Sequence, residues 1–406
     1  MRKKLSMLFI AFFCLFFIQA IPVAASDDVV KNDETGIPDE SLYQNILETL
    51  GKKTNETFTK QEAATIDWLD TRGEGRPIKS LKGIEYLCNV VQLDLRDHGI
   101  ENLEGIEKLP KLKYLDLEGS SVKSLEPISH IGTLESLSIN YSGLTTLKGI
   151  ENLKNLKTLY VSGNQLKNIK EIKNLVNLES LYLDGNKLTS IKDVKKLRNL
   201  KTLDLHDNSL KKAEGLKNLN QLEKLDLSEN KLTNVSEIKN LTKLKELSLA
   251  GNNLKKLPSL KNLKKLQIAS FQKNYLTEKE LSQKLPQKLW KNKKWRADAV
   301  YLQKLNAKVK LANPSSVNKI TKNTTRISGS VSSLSDYKKE SYVQLYNPAD
   351  SLYRTKRWKV GADGKFEISG IKLKKWAGDT VYLNVLVYSQ ESKEWAVANS
   401  IKFTVK

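Results

Sequence analysis

Cysteine, histidine and proline are scarce: two, three and nine residues in a chain of 406. Two cysteines, Cys14 and Cys88, cannot make a disulfide-stapled scaffold, so stability must come from a packed core, which this length is ample to build. Long apolar runs are equally scarce. The one that stands out, Leu8 to Ile21, is shorter than the roughly 20 residues needed to span a bilayer. It follows Arg2, Lys3 and Lys4 and leads to Val23-Ala24-Ala25-Ser26, so residues 1–25 read as a secretory signal peptide, with no transmembrane segment expected in the mature chain. Phe12 and Phe13 stand where a lipoprotein signal carries small residues, so Cys14 is expected to leave with the signal. No Leu-Pro-x-Thr-Gly sorting motif occurs, and the expectation is a secreted, extracellular protein, at most loosely held at a cell wall. Negative charge is in deficit too: Asp and Glu number 46 against 68 Lys and Arg, giving +22, or +19 once residues 1–25 are removed. Outside a cell such a balance draws polyanions, and where the charge sits matters more than its total.

What the chain has in abundance is leucine at a fixed period. Leu-x-Leu-like segments recur every 22 residues from Leu93 through Leu115, Leu137, Leu159, Leu181, Leu203, Leu225 and Leu247, with a degenerate ninth at Ala269-Ser270-Phe271. A typical unit is Leu175-x-x-Leu178-x-x-Leu181-x-Leu183-x-x-Asn186-x-Leu188-x-x-Ile191-x-x-Val194. This is the leucine-rich-repeat pattern, with a short strand around Leu181 and Leu183. A lone coil cannot bury enough apolar surface to hold its backbone, whereas stacked coils share one core and one ladder of strands.

Asn164, Asn186, Asn208, Asn230, Asn252 and Asn274 fall just after the strand in six successive coils, where a buried amide can satisfy turning backbone groups. This predicts a structural ladder. Its first three rungs are His98, Ser120 and Ser142, which predicts a softer N-terminal half. Two residues before the strand leucine the charge alternates through Lys113, Glu135, Lys157, Glu179, Lys201, Glu223 and Lys245. Strands about 4.8 Å apart would set each lysine beside glutamates, a device that fixes register.

Before the repeats, Ile37-Pro38-Asp39-Glu40 opens a helical pattern through Leu42, Ile46, Leu47 and Leu50, stopped by Gly51. Thr59-x-x-Glu62 forms a capping box for a second short helix followed by Ile66, Trp68 and Leu69. The Lys52–Thr59 loop lacks the ligand series of an EF-hand, and neither metal nor cofactor is expected.

The Ile-Pro-Asp helical pattern, the Lys82-Gly83-Ile84-Glu85-Tyr86-Leu87 entry, the strict 22-residue coils and Leu125-x-Pro127-Ile128 together resemble the internalins of Gram-positive bacteria, over roughly residues 37 to 285. The resemblance implies a curved leucine-rich-repeat solenoid with a parallel sheet on its concave face, an α-helical N-terminal cap, and often an immunoglobulin-like module behind it. It also implies binding of host or surface proteins through the concave face, in adhesion or virulence. From Pro314 the leucine period ends, and Arg326–Val331, Ser341–Tyr346, Phe366–Ile368, Val381–Val387 and Ile401–Val405 read as strands of an all-β sandwich, with an Asp363-Gly364 hairpin turn. The expected organisation is therefore a flexible 26–36, a cap over 37–85, about nine coils over 86–285, a C-terminal cap or linker over 286–312 and an immunoglobulin-like sandwich over 313–406. In that linker, Lys288, Lys291, Lys293, Lys294 and Arg296 surround Trp290 and Trp295. The segment is either a contact for an anionic surface or a cap with its tryptophans on the last coil and its lysines in water.

Residues flanking the strand leucines line the concave surface. Those between the leucines include Asp94, Asp116, Tyr160, Tyr182, Asp204 and Asp226; Tyr114 and Glu246 precede them, and Arg96, Glu118, Asp184 and His206 follow. A basic protein thus offers an acidic strip with tyrosines near its centre. Seven carboxylates would repel phosphate or sulfate, while Tyr160 and Tyr182 are rigid amphipathic anchors of the kind interfaces favour. β-propensity alone would also place tyrosine there. The strip suits a basic or neutral protein, not nucleic acid. No oligomerisation signal is evident, so a monomer is expected. His206 near Asp204, Asp226 and Ser228 has no enclosing pocket on an open sheet, which argues against an enzyme. Two readings stand: a secreted protein-binding module acting through Asp94, Tyr114, Asp116, Glu118, Tyr160, Tyr182, Asp184, Asp204, His206 and Asp226, or a structural protein held by charge to anionic wall polymers.

Overall fold

The computed structural model describes residues 28–72, 77–291, 308–313, 315–316, 319–332, 341–347, 357–388 and 395–406. The expected signal peptide, and Lys293, Lys294, Trp295 and Arg296, lie outside the described residues. The chain forms two compact units, Met1–Thr133 and Leu134–Lys406.

In the first unit, strand β1 (Val29–Val30) pairs antiparallel with β2 (Phe58–Thr59) beside helix α1 (Glu40–Thr49). Asp39 caps α1 by accepting the Leu42 N–H at 2.9 Å, and its second carboxylate oxygen accepts the N–H groups of Lys79 and Ser80. One side chain therefore ties the helix to the chain entering the repeats. Leu42, Tyr43, Ile46 and Leu47 are buried, and the Tyr43 hydroxyl donates to the Val30 carbonyl. Residues 28–36, expected to be flexible, hold β1 because Val30 closes this small core. The capping box forms as read, Thr59 and Glu62 exchanging both bonds at the start of α2 (Lys60–Ala63).

Trp68 and Leu69 do not continue that helix. They form β3 (Trp68–Asp70), which runs parallel to β4 (Gln92–Asp94), itself parallel to β5 (Tyr114–Asp116). The repeat strands thus begin a coil earlier than residue 86. Leu69 stands opposite Leu93, 24 residues on rather than 22, and the two extra residues hide this coil from a strict period.

The second unit continues the pattern with β6 (Ser136–Ser138), β7 (Thr158–Tyr160), β8 (Ser180–Tyr182), β9 (Thr202–Asp204), β10 (Lys224–Asp226), β11 (Glu246–Ser248) and β12 (Ile268–Ser270). They lie side by side in chain order, parallel, leucine opposite leucine as far as β11, with Leu247 opposite Ala269 of β12. Their leucines point into a continuous core and are essentially inaccessible. The asparagine ladder stitches the coils together. Asn186 Oδ1 accepts the Leu166 N–H of the preceding coil at 3.0 Å, while its Nδ2 donates to Val161 and Leu183 carbonyls on both coils. Asn164, Asn208, Asn230, Asn252 and Asn274 repeat the arrangement. The charge alternation also pairs. Lys157, Lys201 and Lys245 each reach back to the glutamate of the preceding coil, Glu135, Glu179 and Glu223, at 2.6 to 2.7 Å.

Helices α3 (Glu278–Lys284) and α4 (Gln287–Trp290) follow, burying Leu281, Leu285 and Leu289 while Lys288 and Lys291 are exposed and Trp290 is half-buried. The C-terminal part holds two antiparallel sheets. One orders β13 (Lys308–Asn313), β14 (Arg326–Ser332) and β17 (Lys365–Ser369). The other orders β16 (Trp358–Lys359), β15 (Ser341–Tyr346), β18 (Thr380–Tyr388) and β19 (Trp395–Thr404). Ile327, Phe366 and Ile368 of the first share one buried cluster with Val343, Leu345, Val381 and Leu383 of the second. β13 begins inside the expected linker 286–312, because Lys308–Asn313 finds a backbone partner in β14. No helix among the described residues is long and apolar enough to cross a membrane.

Candidate functional site

Alternation along each three-residue strand sends the middle leucine inward and its two neighbours to the open face. The two units present faces of opposite electrostatic character.

In the first unit the expected carboxylates are neutralised. Arg72 binds Asp70 at 2.7 Å and reaches Asp94 at 3.3 Å; Arg96 binds Asp94 at 2.6 Å and reaches Asp116 at 3.4 Å. Hydrogen bonding from Arg72 holds the Asp70 carboxyl pKa below its ordinary value, and the bonds that Arg96 donates to Asp94 raise the Arg96 pKa. Asp94 itself is buried. Asp94 and Asp116 are thus members of an ion ladder rather than free acid groups. The Glu118 N–H donates to Asp116 at 3.0 Å, and its carboxylate adds to the charge that raises Arg96. Tyr114, 45 % exposed, shares this face with Trp68, 49 % exposed, an aromatic of the segment expected to form the N-terminal cap.

In the second unit three aspartates of the strand face, Asp184, Asp204 and Asp226, have no lysine or arginine ion pair among the described residues. The rings of Tyr160 and Tyr182 stack 4.6 Å apart with an interplanar angle of 10°. Burial, reinforced by Tyr160 and Asp204, raises the Tyr182 hydroxyl pKa. Asp184 accepts from Ser162 Oγ, Asp204 accepts the His206 N–H at 3.0 Å, and Asp226 accepts both the N–H and the hydroxyl of Ser228. Burial raises the Asp204 carboxyl, and the charges of Asp226 and Asp184 push the same way. Among the described residues no Lys or Arg pairs with Asp184, Asp204 or Asp226. Lys224, the nearest lysine to Tyr182 on this face, is held by Glu246 at 2.8 Å. The structure therefore brings together Tyr160, Tyr182, Asp184, Asp204, His206 and Asp226.

Ser228 Oγ donates its one proton to Asp226 and lies 2.9 Å from His206 Nδ1. That polarity is the reverse of a nucleophile handing its proton to an imidazole base. No group of three His, Cys, Asp or Glu side chains among the described residues is placed to hold a metal ion.

One residue of this region escaped the sequence reading. Tyr141 is 65 % exposed and sits at φ 52°, a left-handed conformation that bulky residues seldom adopt. Coil by coil, this position continues as Gly163, Gly185, Asp207, Glu229, Gly251 and Lys273, all with positive φ. The signal was available: a tyrosine standing in a column of glycine and polar turn residues.

A family profile described as Leucine Rich repeats (2 copies) matches residues 133–174, 154–196, 176–218, 198–240 and 220–262. None of the curated proteins matches the chain. Among solved structures, an internalin C2 from Listeria monocytogenes is similar at 26 % identity and a TM-score of 0.51, over 56 % of this chain and 97 % of that one. An internalin, inlF, of the same organism aligns at 24 % identity and a TM-score of 0.47, over 63 % and 88 % of the two chains. A leucine-rich-repeat protein of Leptospira interrogans gives 34 % identity and a TM-score of 0.42, over 49 % and 59 %. The chain carries leucine-rich repeats and resembles an internalin in structure. Leucine-rich repeats of this kind are, in general, protein-interaction scaffolds rather than enzymes.

Proposed function

We propose that this is a secreted, internalin-like protein that recognises a host or cell-surface protein, in adhesion or virulence, through the strand face of its second unit. The observation that carries the reading is the Tyr160–Tyr182 stack beside Asp184, Asp204 and Asp226, carboxylates with no lysine or arginine ion pair among the described residues. Stacked aromatics offer large area at low entropic cost, and desolvated carboxylates beside them select lysine or arginine on the partner. Asp94, Tyr114, Asp116 and Glu118 contribute less in this reading, since arginines already occupy the first two aspartates. The two helices before the repeats act as a cap over an otherwise open core. The C-terminal pair of sheets serves as an immunoglobulin-like spacer.

The test immobilises the mature protein and exposes it to host extracellular proteins, then measures the captured partner against Tyr160→Ala/Tyr182→Ala. A loss of about thirtyfold or more in affinity, the level that marks a hot spot, supports the reading. Unchanged affinity removes this face from the interface.

A further inference from the structure

We propose that Lys173, Lys195, Lys217, Lys239 and Lys261 form one recognition row for an extended, phosphate-bearing polyanion laid along the stack of coils. The five lysines occupy the same position of five successive 22-residue coils. The strands of those coils pair in register, so residues at equal positions stand above one another. Lys173, Lys195 and Lys239 lie in the 3-10 turns Lys170–Asn174, Lys192–Lys196 and Ser236–Asn240, with Lys217 and Lys261 in the corresponding turns of their coils. All five are exposed. With adjacent strands about 4.8 Å apart, the row spans roughly 20 Å.

The chain pairs its other lysine column and leaves this one bare. Lys157, Lys201 and Lys245 alternate with glutamates and bind them. In the row from Lys173 to Lys261 no member has an ion-pair partner among the described residues. Three carboxylates stand two residues ahead of row members. Glu171 is buried, Glu237 is committed to the N–H groups of Gly215, Leu216 and Lys217, and Asp193 is half-buried. Like charges stacked one strand apart repel, so the arrangement works against folding and needs an external anion to become favourable.

The geometry selects among anions. Lysine binds phosphate as a point charge, and a file one lysine wide fits a chain of phosphates running parallel to it. A bilayer offers charge over a plane. Single-stranded nucleic acid would call for aromatic platforms between the charges, yet the neighbouring positions are Asn174, Lys196, Asn218, Asn240 and Asn262. The strand face with its carboxylates takes no part in this site.

The probe is long-chain inorganic polyphosphate, titrated into the mature protein at several salt concentrations. Each engaged lysine contributes about −0.7 to the slope of log affinity against log salt, so the row should give roughly −3.5. Replacing the five lysines by glutamine should flatten that slope and weaken binding about tenfold or more in low salt. Replacing Lys167, Lys211, Lys231, Lys255 and Lys279 instead, for the same loss of charge, should leave most of both. Equal losses in the two variants would reduce the effect to net charge and overturn the row, as would absence of binding. Vesicles containing phosphatidylglycerol form the third arm: tighter binding to them than to polyphosphate, lost with the row, would reassign it to a membrane surface and overturn the polymer.

Discussion

The ring of Tyr141 lies against Gly163, so close that a Cβ added to that glycine would stand 2.3 Å from Tyr141 Cδ1. Glycine at 163 leaves the space, and a left-handed backbone at 141 aims the ring into it. Holding a bulky residue at φ 52° costs on the order of 1 to 2 kcal/mol. Tyr141→Gly should therefore raise stability by about 1 kcal/mol in denaturant unfolding. The same variant should lower affinity for the partner of the neighbouring tyrosine face. A variant that is less stable would mean that the ring's packing outweighs the strain.

Asp204 ties stability to pH in the opposite sense from an ordinary ion-paired aspartate. Its carboxyl pKa is raised above 3.8 by burial, so the folded state holds its proton more tightly than the unfolded state. The favourable contribution is full at pH values below 3.8 and is lost as pH rises through the folded value. Asp204→Ser should accordingly melt higher than the parent at pH 7, with the gap closing on acidification. A gap that widens as pH falls would contradict the assignment.

His98 fills the first rung that the asparagine ladder leaves vacant in sequence. Its Nδ1 accepts the Ile78 N–H at 3.3 Å, the bond that Asn208 Oδ1 makes to Leu188, and its Nε2 lies against the hydroxyl and carbonyl of Thr71. An acceptor at Nδ1 requires a neutral ring, and burial keeps the imidazole pKa below 6.5 although Asp94, Asp39 and Asp97 pull it up. Stability from this rung is complete above 6.5 and falls as pH drops toward the folded value. His98→Asn should remove that decline, measured as unfolding free energy between pH 7 and pH 5, because the amide serves the same two coils without titrating.

The rungs differ in what they hold. Asn186→Ala removes an acceptor and donors that are otherwise buried, and should cost about 1 to 3 kcal/mol. Ser120 is the weak rung: its hydroxyl is buried without a hydrogen-bond partner. Ser120→Asn should restore a bridge between its coil and the one before, adding roughly 1 kcal/mol. Hydrogen exchange should show the first unit's coils gaining protection in that variant. No gain would mean that the serine coil has closed around its smaller side chain.

Much of this architecture was legible because a repeat multiplies its own signal. Leucine at a 22-residue period placed strands β4 to β12, and the Asp39 and Thr59 caps could be read from their local chemistry. Where the pattern is broken once, as between Leu69 and Leu93, the strand was missed. β13 and β16 were missed as well, since each is defined by its backbone pairing to the neighbouring strand rather than by a distinctive residue pattern of its own.

By itself, the sequence determined the repeat, the inward leucines, the asparagine rungs and which residues share the open face, all of which follow from side-chain period. The tertiary structure decided which charges on that face are free. Arg72 and Arg96 reach across strands to cancel Asp70, Asp94 and Asp116, whereas Asp184, Asp204 and Asp226 meet no lysine or arginine among the described residues. It likewise distinguished the lysines bound to glutamates from the bare row of five. Charge is counted along a chain, but neutralisation acts over a few ångströms between coils, and only the fold sets those distances.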